Sequence, residues 1–69
     1  SDNQNKQRIE QLMKELDGVN KSLKSSESKL SNQNFIDRAP ADVVESEKQK
    51  IESLVLKKKQ LEDELNNLK

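Results

Sequence analysis

The sequence contains no cysteine and no histidine. Without cysteine it can form neither a disulfide framework nor a thiolate nucleophile. Without histidine it lacks the usual general base near neutral pH and the commonest metal ligand. It also has no glycine-rich phosphate loop and no nucleophile placed beside a base. These absences argue against an enzyme, and they predict no catalytic residue, no metal site and no cofactor in this chain.

Apolar material is scarce as well. Only 29% of the 69 residues are hydrophobic, 38% are charged, and Phe35 is the single aromatic residue. A core built from so few residues rarely contributes more than about 3–5 kcal/mol. No apolar run approaches the ~20 residues that a membrane span needs, and no signal-peptide core is present. The composition therefore favours an extended structure that buries a single seam over a compact globule.

What the chain does have is a row of apolar residues spaced alternately by three and four positions. This heptad pattern predicts an all-α fold, an antiparallel two-helix coiled-coil hairpin. We expect one helix over roughly 4–33, a tip loop over 34–39 and a second helix over roughly 40–68, which together form a single domain, 1–69. The apolar positions, called the seam below, are Ile9, Leu12, Leu16, Val19, Leu23, Leu30, Val44, Ile51, Leu54, Leu61, Leu65 and Leu68.

Polar residues occupy three positions in the same row, Ser26, Glu47 and Lys58. One register places Leu30 opposite Glu47 and Ser26 opposite Ile51, so that every polar seam residue meets an apolar partner. A shift by one heptad is the alternative.

The corner between the helices carries the only Phe and the only Pro of the chain. Pro40 suits the first position of the second helix, because its fixed φ fits a helix start and its missing N–H needs no partner there. Asn32 and Asn34 could end the first helix in left-handed geometry. Phe35 and Ile36 would then pack over the open end of the seam. Alternatively, the Phe35 ring stays exposed as a surface on which a nucleobase stacks.

The charges balance overall but not locally, since the 13 basic and 13 acidic residues are unevenly spread. Lysines concentrate in 18–30 and 48–59, which lie side by side in a hairpin. Such a basic band can follow a phosphate backbone, although lysines on a coiled coil also keep it soluble or pair with glutamates across the seam. A cation at the tip has no evident structural purpose. The candidate RNA-binding residues are Arg38, Lys29, Lys48, Lys50, Lys57 and Lys24.

The corner segment resembles the C-terminal coiled-coil arm of bacterial-type valyl-tRNA synthetases. That family's pattern combines Lys-Leu, Asn, Phe with an aliphatic residue, Ala-Pro, Val-Val, Glu-Lys or Glu-Arg, and a final Lys-Leu or Lys-Ile. The specific match covers about a third of the chain, and the remainder agrees only in heptad character. The matching residues are Lys29, Leu30, Asn32, Phe35, Ile36, Ala39, Pro40, Val43, Val44, Glu47, Lys48, Lys50 and Ile51.

The resemblance implies a role in protein biosynthesis. The arm would contact the outer corner of tRNA(Val), where the D-loop and T-loop meet, and position it for ATP-dependent aminoacylation by a valine–tRNA ligase. The chain would then be a domain excised from the C-terminus of a cytoplasmic class I synthetase, with ATP and Mg used only by that parent. Its implied partners are tRNA(Val) and the rest of the synthetase, with no membrane. The isolated domain is expected to be a monomer or a weak dimer.

A second hypothesis is a structural or protein-interaction coiled coil. A related hairpin ends some ribosome-associated ATPases of the ABC-F type. In that case the polar seam residues Ser26, Glu47 and Lys58 would specify a partner helix or an oligomeric state. A class I synthetase body preceding residue 1 would decide between the two hypotheses.

Overall fold

The computed structural model describes residues 2–69, with side chains from residue 3 onward; Ser1, part of the predicted domain, lies outside this range. The described chain is all-helical, as predicted. It contains three helices, α1 (Asp2–Ser31), α2 (Gln33–Arg38) and α3 (Ala41–Leu68). Together they form a rod of 52 × 14 × 13 Å.

The two long helices pack side by side and run in opposite directions. Near the start of α1, the Arg8 Nε atom lies 2.7 Å from Oε2 of Glu64, near the end of α3. Near the end of α1, the Lys29 Nζ atom lies 3.1 Å from Oε1 of Glu47, near the start of α3. Because the order of these contacts reverses along the chain, α1 and α3 are antiparallel.

The interface between α1 and α3 is the narrow apolar seam that the heptad pattern predicted. Leu12 is completely buried, and four other seam residues are nearly so. Burying one such side chain contributes about 1.5–3 kcal/mol. Isolated helices are marginal in water, so this contact supplies most of the stability of the rod. The buried residues are Leu12, Val19, Leu23, Leu61 and Leu65, flanked by the partly buried Ile9, Leu16, Ile51, Leu54 and Leu68.

Two polar seam residues lie together in this interface. Ser26 is completely buried, and its hydroxyl group lowers the pKa of Glu47. Within the described range, neither Ser26 Oγ nor Glu47 Oε2 makes a hydrogen bond of good geometry, so the two groups are close but not aligned. The prediction that every polar seam residue meets only an apolar partner is therefore wrong for Ser26 and Glu47, because a buried hydroxyl without a polar neighbour is costly.

The corner holds a short helix in place of most of the predicted tip loop. α1 ends at Ser31, two residues earlier than expected, and α2 follows after a single residue. That residue, Asn32, is extended at φ −90° and ψ 110°, and its side-chain oxygen accepts a hydrogen bond of 3.0 Å from the Asn34 N–H. Asn32 thus begins a helix, as asparagine at an N-cap commonly does. It does not end one in left-handed geometry, and no non-glycine residue in 2–69 has a positive φ.

Pro40 ends α2 and starts α3. Ala39 is extended, at φ −74° and ψ 142°, as residues before proline prefer. Pro40 takes the N-cap position, so the helix begins at Ala41, one residue later than predicted. Its carbonyl oxygen accepts hydrogen bonds from the N–H groups of Val43, at 3.0 Å, and Val44, at 3.2 Å. Pro40 thus separates the two helices, and its carbonyl oxygen provides the hydrogen-bond acceptor for the first turn of α3.

Truncating the seam should unfold the rod, whereas truncating its surface should not. Leu12→Ala removes a fully buried side chain and should lower the free energy of unfolding by about 2–5 kcal/mol. Met13→Ala, at a neighbouring residue that is 55% exposed, should change it by less than about 0.5 kcal/mol. Urea titration followed by circular dichroism measures both, and equal effects would contradict the assignment of Leu12 to the core.

Gly18 should be replaceable with a gain in stability. It lies inside α1, its φ is not positive, and a Cβ atom built on it meets nothing within 4 Å. Gly18→Ala should therefore raise the free energy of unfolding by about 1 kcal/mol, because alanine loses less backbone entropy in a helix. A fall in thermal stability would instead indicate that Gly18 is a required bend.

Candidate nucleic-acid interface

The tip of the rod carries an open depression of about 510 Å³. Phe35 is half-buried and contributes to its wall, so the ring is packed on one side and still reachable on the other. The sequence predicted that Ile36 covers the end of the seam, but its side chain is exposed. The depression combines an apolar surface with amide and guanidinium groups. Its lining residues are Asn32, Asn34, Phe35, Arg38, Ala39, Pro40 and Val43.

Arg38 is an exposed cation in this depression, in the last turn of α2. Asp37 beside it accepts a hydrogen bond of 2.9 Å from the Gln33 side-chain amide. Arg38 forms no ion pair with any side chain from residue 3 onward. Its planar guanidinium group is therefore available for a phosphate or for stacking on a base.

Lys29, by contrast, is engaged within the rod. Its ammonium group contacts Glu47, whose side chain is only 13% exposed. The pKa of Glu47 is lowered chiefly by the Ser26 hydroxyl, then by the hydrogen bond and the charge of Lys29, with a weaker contribution from Lys50. Burial of the carboxylate opposes these effects. Lys29 therefore serves the α1–α3 interface, and much of its charge is compensated.

One side of the rod, called the front face below, is defined by two rows of residues with a seven-residue spacing. Such spacing keeps residues on one side of a helix. The contact between Arg8 and Glu64 shows that the two rows lie on the same side of the rod. A groove of about 320 Å³ opens there, lined by Glu15, Gly18, Val19, Ser22, Leu54 and Lys57. The rows are Arg8, Glu15, Ser22 and Lys29 on α1, and Val43, Lys50, Lys57 and Glu64 on α3.

The structure divides the predicted RNA-binding residues between two sides. Lys29, Lys50 and Lys57 belong to the front face. Lys24 and Lys48 lie two positions from Ser22 and Lys50, which is about 200° around a helix of 3.6 residues per turn. They are therefore on the opposite side, called the back face below. The predicted single band of lysines is thus split by the direction in which each side chain leaves its helix.

Charges that lack a partner are the ones open to a ligand. In the described part of the chain, Lys24, Lys48, Lys50 and Lys57 form no ion pair. Among the side chains of residues 3–69, no group of three or more acidic residues could hold a metal ion. No helix within residues 2–69 is long and apolar enough to cross a membrane.

Comparison with known proteins gives the family. The chain matches the family described as the valyl tRNA synthetase tRNA binding arm over residues 5–69. The chain belongs to this family. The resemblance that the corner motif suggested is confirmed, and it extends over nearly the whole chain.

Similar proteins include three valine–tRNA ligases. This chain is 51% identical over 55 residues to the ligase of Chlorobaculum tepidum, a match covering 75% of this chain and 6% of the relative. It is 47% identical over 60 residues to that of Aquifex aeolicus, covering 87% and 4%. Against that of Deinococcus radiodurans it is 35% identical over 60 residues, covering 87% and 7%. The chain thus spans less than a tenth of each relative. No solved structure matches it significantly.

Sequence reasoning missed the role of Asn32 and Val43 at the tip. Asn32 was predicted to end a helix, and Val43 stood out only as part of the corner motif. Both line the depression, and Val43 is 40% exposed. The short α2 helix, which positions both Phe35 and Arg38 in the wall of the depression, leaves no heptad signal because it has only six residues.

The lowered pKa of Glu47 should make the stability of the arm depend on pH. A carboxyl group with a depressed folded-state pKa stabilises the fold above its unfolded pKa, here 4.5, and loses that contribution as pH falls through the folded value. Glu64, whose pKa Arg8 lowers in the same way, adds to this effect. Thermal unfolding followed by circular dichroism should therefore show a falling midpoint below pH ~4.5.

Glu47→Gln should flatten this pH dependence, because the amide does not titrate. Glu45→Gln, two positions earlier at an exposed residue, is the matched control and should leave it unchanged. If the two variants show the same acid dependence, the cluster of Glu47, Ser26 and Lys29 does not stabilise the arm.

Proposed function

We propose that this chain is an antiparallel coiled-coil hairpin with which a valine–tRNA ligase holds tRNA(Val) at its outer corner, where the D-loop and T-loop meet. The family match over residues 5–69 carries the proposal. The rod would project from the C-terminal part of a much longer cytoplasmic enzyme. That enzyme would use ATP and Mg for aminoacylation at a distant site, and the arm would contribute binding alone.

The tip offers the chemistry that the outer corner of an RNA requires. Such a corner is recognised by its shape, its phosphates and its unpaired bases more than by base edges in a groove. Arg38 can bind a phosphate in bidentate fashion, and the half-buried Phe35 ring offers a surface for stacking. The amide side chains of Asn32 and Asn34 add hydrogen-bonding groups beside them.

A binding arm of this kind should act mainly on the Michaelis constant for tRNA. Its contacts lie far from the reacting atoms and would be equally strong in the ground state and the transition state. Uniform binding lowers KM and leaves kcat unchanged. Contacts to phosphates also release counterions, so the contribution of the arm should weaken steeply as salt rises.

The alternative, an interaction coiled coil of the ABC-F type, loses its main support from the seam. Ser26 and Glu47 lie together, and Lys29 compensates the carboxylate from the same chain. These residues therefore do not require a partner helix. The matched family and the three ligases favour the tRNA-binding role.

Deletion of the arm tests the proposal. Removing residues 5–69 from the parent ligase should weaken tRNA binding and raise KM for tRNA, with the largest effect at low salt. Filter binding and aminoacylation kinetics over a salt series measure this.

Valine activation without tRNA is the control for the deletion, because it should proceed unchanged if the catalytic body is intact. Unaltered tRNA affinity at every salt concentration would refute the tRNA-binding role.

A further inference from the structure

The two sides of the rod carry charge of opposite sign. On the front face the bases outnumber the acids, since Arg8, Lys29, Lys50 and Lys57 oppose only Glu15 and Glu64. The back face reverses this balance. The rows that contain Lys24 and Lys48, and the rows beside them, hold five lysines, Lys6, Lys24, Lys48, Lys59 and Lys69, against six acids, Glu10, Asp17, Glu27, Glu45, Glu52 and Glu62. A phosphate chain would thus be attracted more to the front face than to the back face.

Two front-face cations are held in ion pairs within the rod, which leaves Lys50 and Lys57 without one. Arg8 is held by Glu64 at 2.7 Å, and Lys29 by Glu47 at 3.1 Å. Lys50 and Lys57 form no ion pair with the described side chains. They lie seven residues apart on α3, which corresponds to about 10 Å along the helix axis. The front face therefore presents two spaced cations in a row.

Both surface depressions open on the front face. Val43, in the tip depression, precedes Lys50 by seven residues and so begins the same row on α3. The second groove is lined by Glu15, Ser22 and Lys57, which belong to the two front-face rows. The tip depression, the two lysines and the side groove thus follow one another along a single side.

We propose that the backbone of the bound RNA runs along the front face, from the tip depression past Lys50 to the groove at Lys57, while the back face is turned away from it. This inference rests on the proposed function and specifies the side on which it acts. Lys50 and Lys57 neutralise phosphates, and Arg38 anchors the tip end. Lys24 and Lys48, although equally basic, lie among repelling acids and contribute little.

Gly18 contributes to the front face because it has no side chain. It faces the groove beside Ser22 and Lys57, and the space above its Cα is open for 4 Å. An RNA backbone can therefore approach the surface of α1 here more closely than over a long side chain. A charged side chain at this position would block the path without disturbing the packing of the rod.

Two double variants of the parent ligase with equal change in charge test the inference. Lys50→Gln with Lys57→Gln should weaken tRNA binding roughly tenfold at low salt and lower the slope of log K against log salt by about 2. Lys24→Gln with Lys48→Gln, on the back face, should change the affinity less than about twofold. Lys50→Arg with Lys57→Arg keeps both charges and should bind as the parent does.

A second pair of variants adds one negative charge instead. Gly18→Glu places it in the front groove, and Asn20→Glu places it on the back face of the same helix. Glutamate favours a helix more than glycine or asparagine does, so both variants should fold. Only Gly18→Glu should weaken tRNA binding. Circular dichroism of the 69-residue chain checks that the helix content is preserved.

The arm deletion distinguishes the tRNA-binding role from the path of the RNA along the front face. Suppose that the deletion weakens tRNA binding. If the back-face variants then weaken it as much as the front-face variants, or more, the proposed path along the front face is wrong and the tRNA-binding role stands. If the deletion has no effect, both fall. Loss confined to the front variants supports both.

Discussion

The burial of one row of leucines between α1 and α3 determines the rest of the structure. Neither helix has enough apolar surface to be stable alone, so each forms because the other covers its seam residues. The same burial fixes how each helix is rotated about its own axis. Once Leu12 and Leu61 point inward, every other position of the heptad is assigned to a side of the rod. The packing of the core thus decides which lysines share a face.

The cluster of Ser26, Glu47 and Lys29 helps to fix the position of α1 along the axis of α3. Leucine against leucine is tolerant of a shift along the axis, because one apolar layer resembles the next. A buried carboxylate is not tolerant, because away from the hydroxyl and the ammonium it would lose its compensating partners. The cluster costs apolar burial at two seam positions and makes one register distinct from its neighbours. Because Lys29 is paired with Glu47, it is not available to a ligand, although it belongs to the lysine-rich stretch 18–30.

Much of this architecture could be predicted from the sequence, because its causes are local or periodic. The heptad spacing predicted the seam and both long helices, and Pro40 predicted the reversal. The association of Ser26 with Glu47 was missed because the rule applied, polar against apolar, ignored the favourable contact between a hydroxyl and a carboxylate. The α2 helix was missed because six residues show no period and Asn32 suits either a helix start or a helix end. The side on which each lysine lies followed from heptad phase and was available in the sequence.

The balanced net charge of the chain conceals a strong local field. The rod is 13–14 Å thick, whereas electrostatic interactions in physiological salt decay over about 8 Å. A phosphate near Lys50 and Lys57 is therefore screened from the acids on the back face, and it experiences the front face almost alone. A uniformly basic rod of the same size would attract any nucleic acid to any side. The excess of cations on the front face would instead orient the arm with respect to a nucleic-acid ligand, which a uniform positive charge cannot do.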